Sequence, residues 1–339
     1  MKGLWWKLLA TLLLLYTAII GLRTPLGPAI VQTSVSRIAP GPLELDVWGY
    51  GTHFNSDQPR AWLVNDSQRV CASNITAIAG DHMKVFFDVP AGLRKQMTDL
   101  QVFNGTDGLV TRYAAFYTDS LGGGIAEHPC VGGKSLELAY TFPNRDILNE
   151  SIRNLFFHVP MWFTMVTLMA IGVWKSIRAL RTNSLDEDRA AASAVGTGLV
   201  FGVLGLISGS LWARVTWETW WTTDPKLNGA AAGVLIYLAY LVLRGSVPEP
   251  AKRARLSAIY SIFAFAFMLL FFFVLPRLND SLHPGNGGNP AFNTYDLDNR
   301  LRSVFYPACL GWILLGIWMY QLRDRLARVQ TRHSDANDQ

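Results

Sequence analysis

Six runs of apolar residues constrain this chain more than any other feature. A helix needs roughly 18 or more such residues to cross the hydrocarbon layer of a bilayer, about 30 Å thick. Leu4–Leu22, Leu155–Val173, Ala191–Trp212, Ala230–Leu243, Ala258–Leu275 and Phe305–Tyr320 answer to that description, the fourth once its neutral flanks are counted. With 50% hydrophobic and 16% charged residues, the chain is too apolar for a soluble protein of 339 residues, yet not apolar enough for membrane spans alone. The polar surplus lies between the first and second runs, in a long segment with period-two patterning. These features predict a membrane protein with six transmembrane helices and one aqueous domain inserted between helices 1 and 2.

Basic residues beside the spans predict which ends face the cytoplasm. Lys2 and Lys7 flank the first run, and Lys175, Arg178, Arg181 and Arg189 separate the second from the third. Arg244, Lys252, Arg253 and Arg255 separate the fourth from the fifth, and Arg323, Arg325, Arg328 and Arg332 follow the sixth. All four clusters fall on one side if every run crosses. Both termini are then cytoplasmic, and the inserted domain faces outward. The net charge of +5 reflects this topology. No basic stripe suggests a nucleic-acid partner, and lipid is the expected surrounding. The first run begins like a signal peptide, but Gly21-Leu22-Arg23-Thr24-Pro25 has no small-x-small cleavage pattern, so residues 1–24 read as an uncleaved anchor.

Residues 25–148 form the insertion. From about 35 to 118, short β-type runs such as "LELDVWGYGTHF", "RAWLVN", "KVFFDVP" and "RYAAFYT" alternate with turn signals, among them Asn104-Gly105 and Asp107-Gly108. The pattern predicts an all-β sandwich, and the segment resembles immunoglobulin-like domains of the IPT/TIG kind. Leu121–Gly133 reads as a glycine-rich linker. Cys71 and Cys130 share a compartment that permits a disulfide, whereas Cys309 in the sixth run reads as a packing residue. His53, His82 and His128 are scattered and form no ligand set.

Two other histidines stand at span ends on the outward side. His158, in "ESIRNLFFHVPMWF", is at the mouth of the second span, where Pro160 fits a first helical turn. His283, in "PRLNDSLHPGNGG", follows the fifth. Polar side chains at the hydrocarbon margin need partners. Two imidazoles can supply both axial ligands of a haem iron. They can equally serve a proton relay, or His158 can simply cap a helix; on these two residues alone the plainer readings are the stronger.

The connector "GSLWARVTWETWWTTDPKLNG" changes that balance. Tryptophan favours membrane interfaces, which accounts for one or two of the four but less well for a cluster with Asp224, Arg214 and Lys226. If residues 217–223 are helical, Trp217, Trp220 and Trp221 share one face at i, i+3, i+4 spacing, an apolar platform for a macrocycle. An acid next to anionic propionates is unfavourable, so Asp224 is expected to orient loop donors or Lys226 rather than touch haem.

This loop resembles the WWD signature of haem-handling proteins, and "FFHVPMW" resembles the histidine motif that precedes it. The similarity is to the haem exporter protein C (CcmC) family of cytochrome c maturation, in the wider CcmC/CcmF/CcsA superfamily. It covers residues 150 to about 320. The resemblance implies a haem-handling core at 149–325 with a WWD-type loop at 212–228, followed by a cytoplasmic tail at 326–339. It implies His158 and His283 as axial ligands of transiently bound haem b, and Trp217, Trp220, Trp221 and Asp224 as the platform, with Arg214 and Lys226 nearby. It further implies the haem chaperone CcmE, the small protein CcmD and the CcmAB ABC transporter as partners, in a bacterial inner membrane with the haem site on the periplasmic face. The chain has no nucleotide-binding loop of its own, so the expected role is transfer rather than catalysis. Three positions depart from the family pattern: Glu218 replaces glycine, Thr223 tryptophan and Lys226 arginine. Haem delivery or synthesis of the CcsA type, a b-type electron-transfer cytochrome and a surface-recognition protein are the alternatives. One histidine pair at one surface argues against the cytochrome, and six spans argue against a mere anchor.

Overall fold

A computed structural model of the protein describes residues 3–56, 59–65, 68–91, 97–118, 140–144, 148–283 and 297–337. Among these residues are six helices long and apolar enough to cross a membrane, and the protein is a multi-pass membrane protein. The chain divides into two compact units, Thr24–Glu150 and the remainder formed by Met1–Arg23 with Ser151–Gln339.

In the helical unit, α1 (Trp5–Arg23) presents Leu8, Leu12, Leu15, Ile19 and Leu22 outward, the side chains a lipid-facing surface requires. A 3₁₀ turn at Asn149–Asn154 leads into α2 (Leu155–Thr182), which ends at Asn183 in the left-handed region. Ser184 caps α3 (Leu185–Thr216), Asp224 caps α4 (Pro225–Ser246) and Glu249 caps α5 (Pro250–Leu269). Each cap accepts backbone N–H groups that a helix start leaves unpaired. α5 continues as a π turn, Leu270–Val274, and a 3₁₀ turn, Leu275–Arg277. The last helix, α6, spans Asn299–Asn337.

Pro160 is not in the first turn of α2 but inside the helix. The preceding 3₁₀ turn hands over to α-geometry at Leu155, five residues earlier than a Pro-initiated helix requires. The bundle core comprises Met161, Met165, Leu168, Met169, Phe201, Tyr237, Tyr240 and Met268. At its basic end, Arg244 makes a bidentate bond to the buried Asp188, at 2.6 and 2.9 Å, and Lys175 and Arg178 both bond Glu187. The opposite end gathers the starts of α2 and α4 with the ends of α3 and α5.

The inserted unit is all β: β1 (Ala29–Thr33), β2 (Arg37–Ile38), β3 (Gly41–Tyr50), β4 (Arg60–Asn65), β5 (Gln68–Ala77), β6 (His82–Val89), β7 (Met97–Asn104) and β8 (Gly108–Thr118). They form one curled sheet in the order β1-β3-β6-β5-β4-β7-β8-β2. The first half of β5 pairs with β4 and the second half with β6, across an irregularity at 72–74. Inward residues alternate along the strands, with Leu45, Val47, Leu63, Met83, Val85, Phe87, Leu100, Val102 and Phe116 closing one core. The all-β insertion predicted from the sequence is present, its sheet curled around one core and bent at β5, which pairs with both halves. Asp107 is buried in the β7–β8 turn and accepts from the His53 backbone N–H at 2.6 Å, His53 Nδ1 at 2.8 Å and Asn104 Nδ2 at 2.7 Å. His82 stacks on Trp48 and bonds Asp46 at 2.9 Å. These two histidines are structural. Cys71 is disulfide-bonded. Cys130, His128 and the proposed linker Leu121–Gly133 lie outside the described residues.

Candidate functional site

His158 lies one turn into α2, against α3. Its Nδ1 is 3.1 Å from Ser208 Oγ, and Ser208 donates its own proton to Leu204 O at 2.8 Å. The hydroxyl therefore accepts, which assigns the ring proton to Nδ1 and leaves the Nε2 lone pair as acceptor. Trp162, one turn along the same helix, donates its indole N–H to that Nε2 across a long 3.4 Å. Both rings lie over bare backbone. A Cβ on Gly209 would sit 2.7 Å from His158 Cε1, and one on Gly205 would sit 2.7 Å from the Trp162 ring.

His283 is placed from three directions. Asp224, the cap of α4, accepts the Lys226 N–H at 2.9 Å on Oδ1, and Ser281 Oγ at 2.7 Å and the Leu282 N–H at 2.8 Å on Oδ2. His283 Nδ1 stands 3.1 Å from Oδ1. Burial alone would raise the Asp224 pKa, but Ser281, Leu282, His283 and Lys226 together hold the carboxyl below its usual range. Burial also pushes the His283 pKa below that of a free imidazole, partly opposed by the Asp224 charge and reinforced by Lys226. The ring is thus neutral at neutral pH. With an acceptor at Nδ1, the ring proton belongs there, and Nε2 has no partner among the described residues. Trp212 and Trp217 flank the ring, with centroids 5.8 and 5.0 Å away.

Both histidines line one cavity of about 240 Å³. Its walls are mostly apolar and include Phe163, Leu206, Trp221, Phe272 and Phe273, and Lys226 is the one cation among the described lining residues. Of the residues singled out in the sequence, His158, His283, Trp221 and Lys226 meet here. Trp217 and Asp224 instead stand behind His283. Trp220 is 56% exposed and is not part of the lining, and Arg214 donates to the Glu218 carbonyl.

The tryptophans do not share a helical face. α3 stops at Thr216, and residues 217–224 are bends and extended chain. Glu218 adopts φ +58°, which breaks the helix that i, i+3, i+4 spacing requires. Trp221 is fixed separately, through Nε1 to Asn228 Oδ1 at 3.1 Å.

Sequence reasoning missed Trp162, Ser208, Ser281 and the two ring-seating glycines. A signal existed for some of them: Trp162 is four residues from His158, and Gly198, Gly202, Gly205 and Gly209 recur on one helical face.

The donor set has a definite chemistry. Two imidazoles, each engaged at Nδ1, line one mostly apolar space, and the Asp224 carboxylate beside it is already saturated with hydrogen bonds. No three His, Cys, Asp or Glu side chains gather as a metal cluster among the described residues. Two axial nitrogens without equatorial ligands suit a metal that arrives inside a flat macrocycle. The glycine seats at Gly205 and Gly209 are filled by the Trp162 and His158 rings themselves, so these glycines fix where the two side chains sit on α3.

Residues 134–283 match the family described as cytochrome C assembly protein. The chain is 29% identical to heme exporter protein C of Paracoccus denitrificans over 185 residues, 52% of this chain and 72% of that protein. It is likewise 29% identical to heme exporter protein C of Rhodobacter capsulatus over 200 residues, 56% of this chain and 77% of the relative. Similarity to the cytochrome c biogenesis protein CcsA of Prochlorococcus marinus subsp. pastoris is 33% over 105 residues, only 28% of this chain and 33% of that one.

Proposed function

We propose that this multi-pass membrane protein, whose residues 134–283 match the cytochrome C assembly protein family, holds haem at the outer face of the inner membrane and passes it to a periplasmic haem chaperone. The observation that supports this reading is the pair of imidazoles, His158 and His283, each engaged at Nδ1 and both lining one mostly apolar cavity. Bound there, haem would supply an iron that takes nitrogen ligands, and His158 and His283 are the residues that would hold it. The residues of this chain do the remainder. Phe163, Phe272 and Trp221 exclude water from the ring faces, and Lys226 offers a point charge for a propionate, without arginine's bidentate fork. Transfer makes and breaks only coordination bonds, so the protein acts as a carrier rather than an enzyme. Within this reading the partners are a CcmE-type chaperone, a CcmD-type small subunit and a CcmAB-type ATP-binding cassette pair. The larger coverage of the heme exporter protein C relatives favours this assignment over CcsA-type delivery.

Absorption spectroscopy of the detergent-purified full chain tests the reading. Haem-loaded protein should show bis-imidazole bands, lost in His158→Ala and in His283→Ala. His53→Ala and His82→Ala should leave them unchanged. A double His158→Ala/His283→Ala variant that keeps the whole wild-type spectrum would rule the axial pair out.

A further inference from the structure

The two histidines are not held alike, and the difference gives the site a direction. We propose that His283 is the retained ligand and His158 the releasing one, with Trp162 as the group that takes over the His158 lone pair when the iron departs. The proposal rests on the haem reading above and concerns how that site lets go.

Consider the retained side. His283 donates its Nδ1 proton to Asp224 at 3.1 Å, and that carboxylate is 1% exposed and fixed by Ser281 and Leu282. A hydrogen bond to an ionised acceptor pushes electron density onto the far nitrogen and raises its strength as a ligand. The carboxylate also fixes the ring plane. Asp224 belongs to the cap of α4, so the orientation is inherited from a helix start rather than from the loop alone.

The releasing side is built differently. His158 donates to neutral groups, Ser208 Oγ and the Gly205 carbonyl, which give no comparable push. Its Nε2 already has an alternative partner in the Trp162 indole N–H, at 3.4 Å. That bond is long for N–H···N geometry, so iron displaces it readily and regains nothing from it. Once Nε2 gave up a metal, its lone pair would return to the indole proton and the nitrogen would not be left unsatisfied. No electron or proton moves in the exchange. Phe272, edge-on to Trp162 at 5.3 Å, and the bare backbone of Gly205 hold the indole in place to receive it.

Asp224 and Trp162 are thus positioning residues with opposite effects. One strengthens the bond that keeps the cargo, and the other lowers the cost of losing its opposite partner. A receiving protein then needs to displace only the weaker ligand first.

Zinc protoporphyrin, which takes a single axial base, separates the two ligands without redox chemistry. Titrated into the purified full chain, it should bind His158→Ala at close to wild-type affinity and His283→Ala about tenfold more weakly. Haemin-loaded protein mixed with excess apomyoglobin gives the release rate. Trp162→Phe should release haemin about fivefold more slowly, the factor expected for removing one competing hydrogen bond, while Ser208→Ala should release it faster. In the His158→Ala background, Asp224→Asn should lower the iron–histidine stretching frequency of the ferrous form and Trp162→Phe should not move it. Equal zinc protoporphyrin affinity for the two histidine variants overturns the asymmetry. A wild-type release rate in Trp162→Phe overturns the role of the indole. Absence of bis-imidazole bands in the wild-type protein would instead defeat the haem reading itself.

Discussion

Glu218 is the residue where the loop is under strain. Its φ of +58° lies in the left-handed region, which costs a side-chain-bearing L-residue roughly 1–2 kcal/mol and glycine almost nothing. This is also where the WWD resemblance calls for glycine. Glu218→Gly is therefore expected to stabilise the loop by about 1 kcal/mol, read as a raised thermal midpoint of the purified protein. The Arg214 bond to the Glu218 carbonyl survives that change, because it uses backbone. The tryptophans divide in the same residue-by-residue way. Trp217 packs on His283 at 5.0 Å, so Trp217→Ala should weaken haem retention by freeing that ring. Trp220 contributes its carbonyl to Ser210 at 2.8 Å while its ring is mostly exposed, so Trp220→Ala should leave the Soret band unchanged. Equal loss from both variants would restore the single aromatic shelf that the spacing suggests.

At the scale of elements, the site depends on how closely α2 and α3 approach. A Cβ on Gly198, Gly202, Gly205 or Gly209 would fall 3.0, 2.7, 2.7 or 2.7 Å from Met169, Met165, Trp162 or His158 in turn. Four glycines on one face of α3 thus receive four side chains from one face of α2, and the last two of those chains belong to the site. The methionines can bend away; the two rings cannot. Gly209→Ala should displace His158 and lower haem content several-fold, while Gly202→Ala should cost mainly stability, of order 1–3 kcal/mol for overpacking. Gly245→Ala in α4 meets nothing within 4 Å and serves as the silent control. Six spans were legible in the sequence because membrane crossing demands long apolar runs, and those runs survive any detail of packing. The glycine period was equally visible, but only the facing helix gives it meaning. Asp224 and His283 are 59 residues apart, and no local pattern encodes their bond. β5 escaped because "QRVCASNITA" changes partners midway, so its two halves answer to different neighbours and no single alternation runs through it. The π turn at Leu270–Val274 likewise follows from packing: the Phe271 carbonyl approaches to 2.4 Å of where a Gly229 Cβ would be, a proximity that only glycine on α4 permits.

For the molecule as a whole, the charged ends of the bundle predict an orientation. The connections between α2 and α3 and between α4 and α5, with the C-terminal part of α6, carry the basic clusters, and partner acids such as Asp188 and Glu187 do not cancel them, because the rule counts cations in short loops. Reporter fusions after Asn183 or Pro250 are expected to read cytoplasmic, and fusions within 60–110 extracytoplasmic; a cytoplasmic signal from 60–110 would reverse the site's placement. The inserted unit makes a separate claim. Its two ends meet, since Gly27 N–H donates to Phe142 O at 2.8 Å and Phe142 N–H to Pro25 O at 2.9 Å. A domain whose chain leaves where it arrived can be removed without pulling its flanking helices apart. Its core is closed by its own strands, and neither candidate ligand lies within it. Replacing residues 28–141 by a short glycine-serine linker should therefore leave α1 and α2 connected and the bis-imidazole spectrum intact. The excised piece 24–150, expressed alone in an oxidising compartment, should melt cooperatively, show β-type circular dichroism and remain colourless with haemin. Haem binding by that fragment, or loss of the spectrum from a shortened chain that still inserts normally, would show that the β unit is part of the site rather than a module carried beside it.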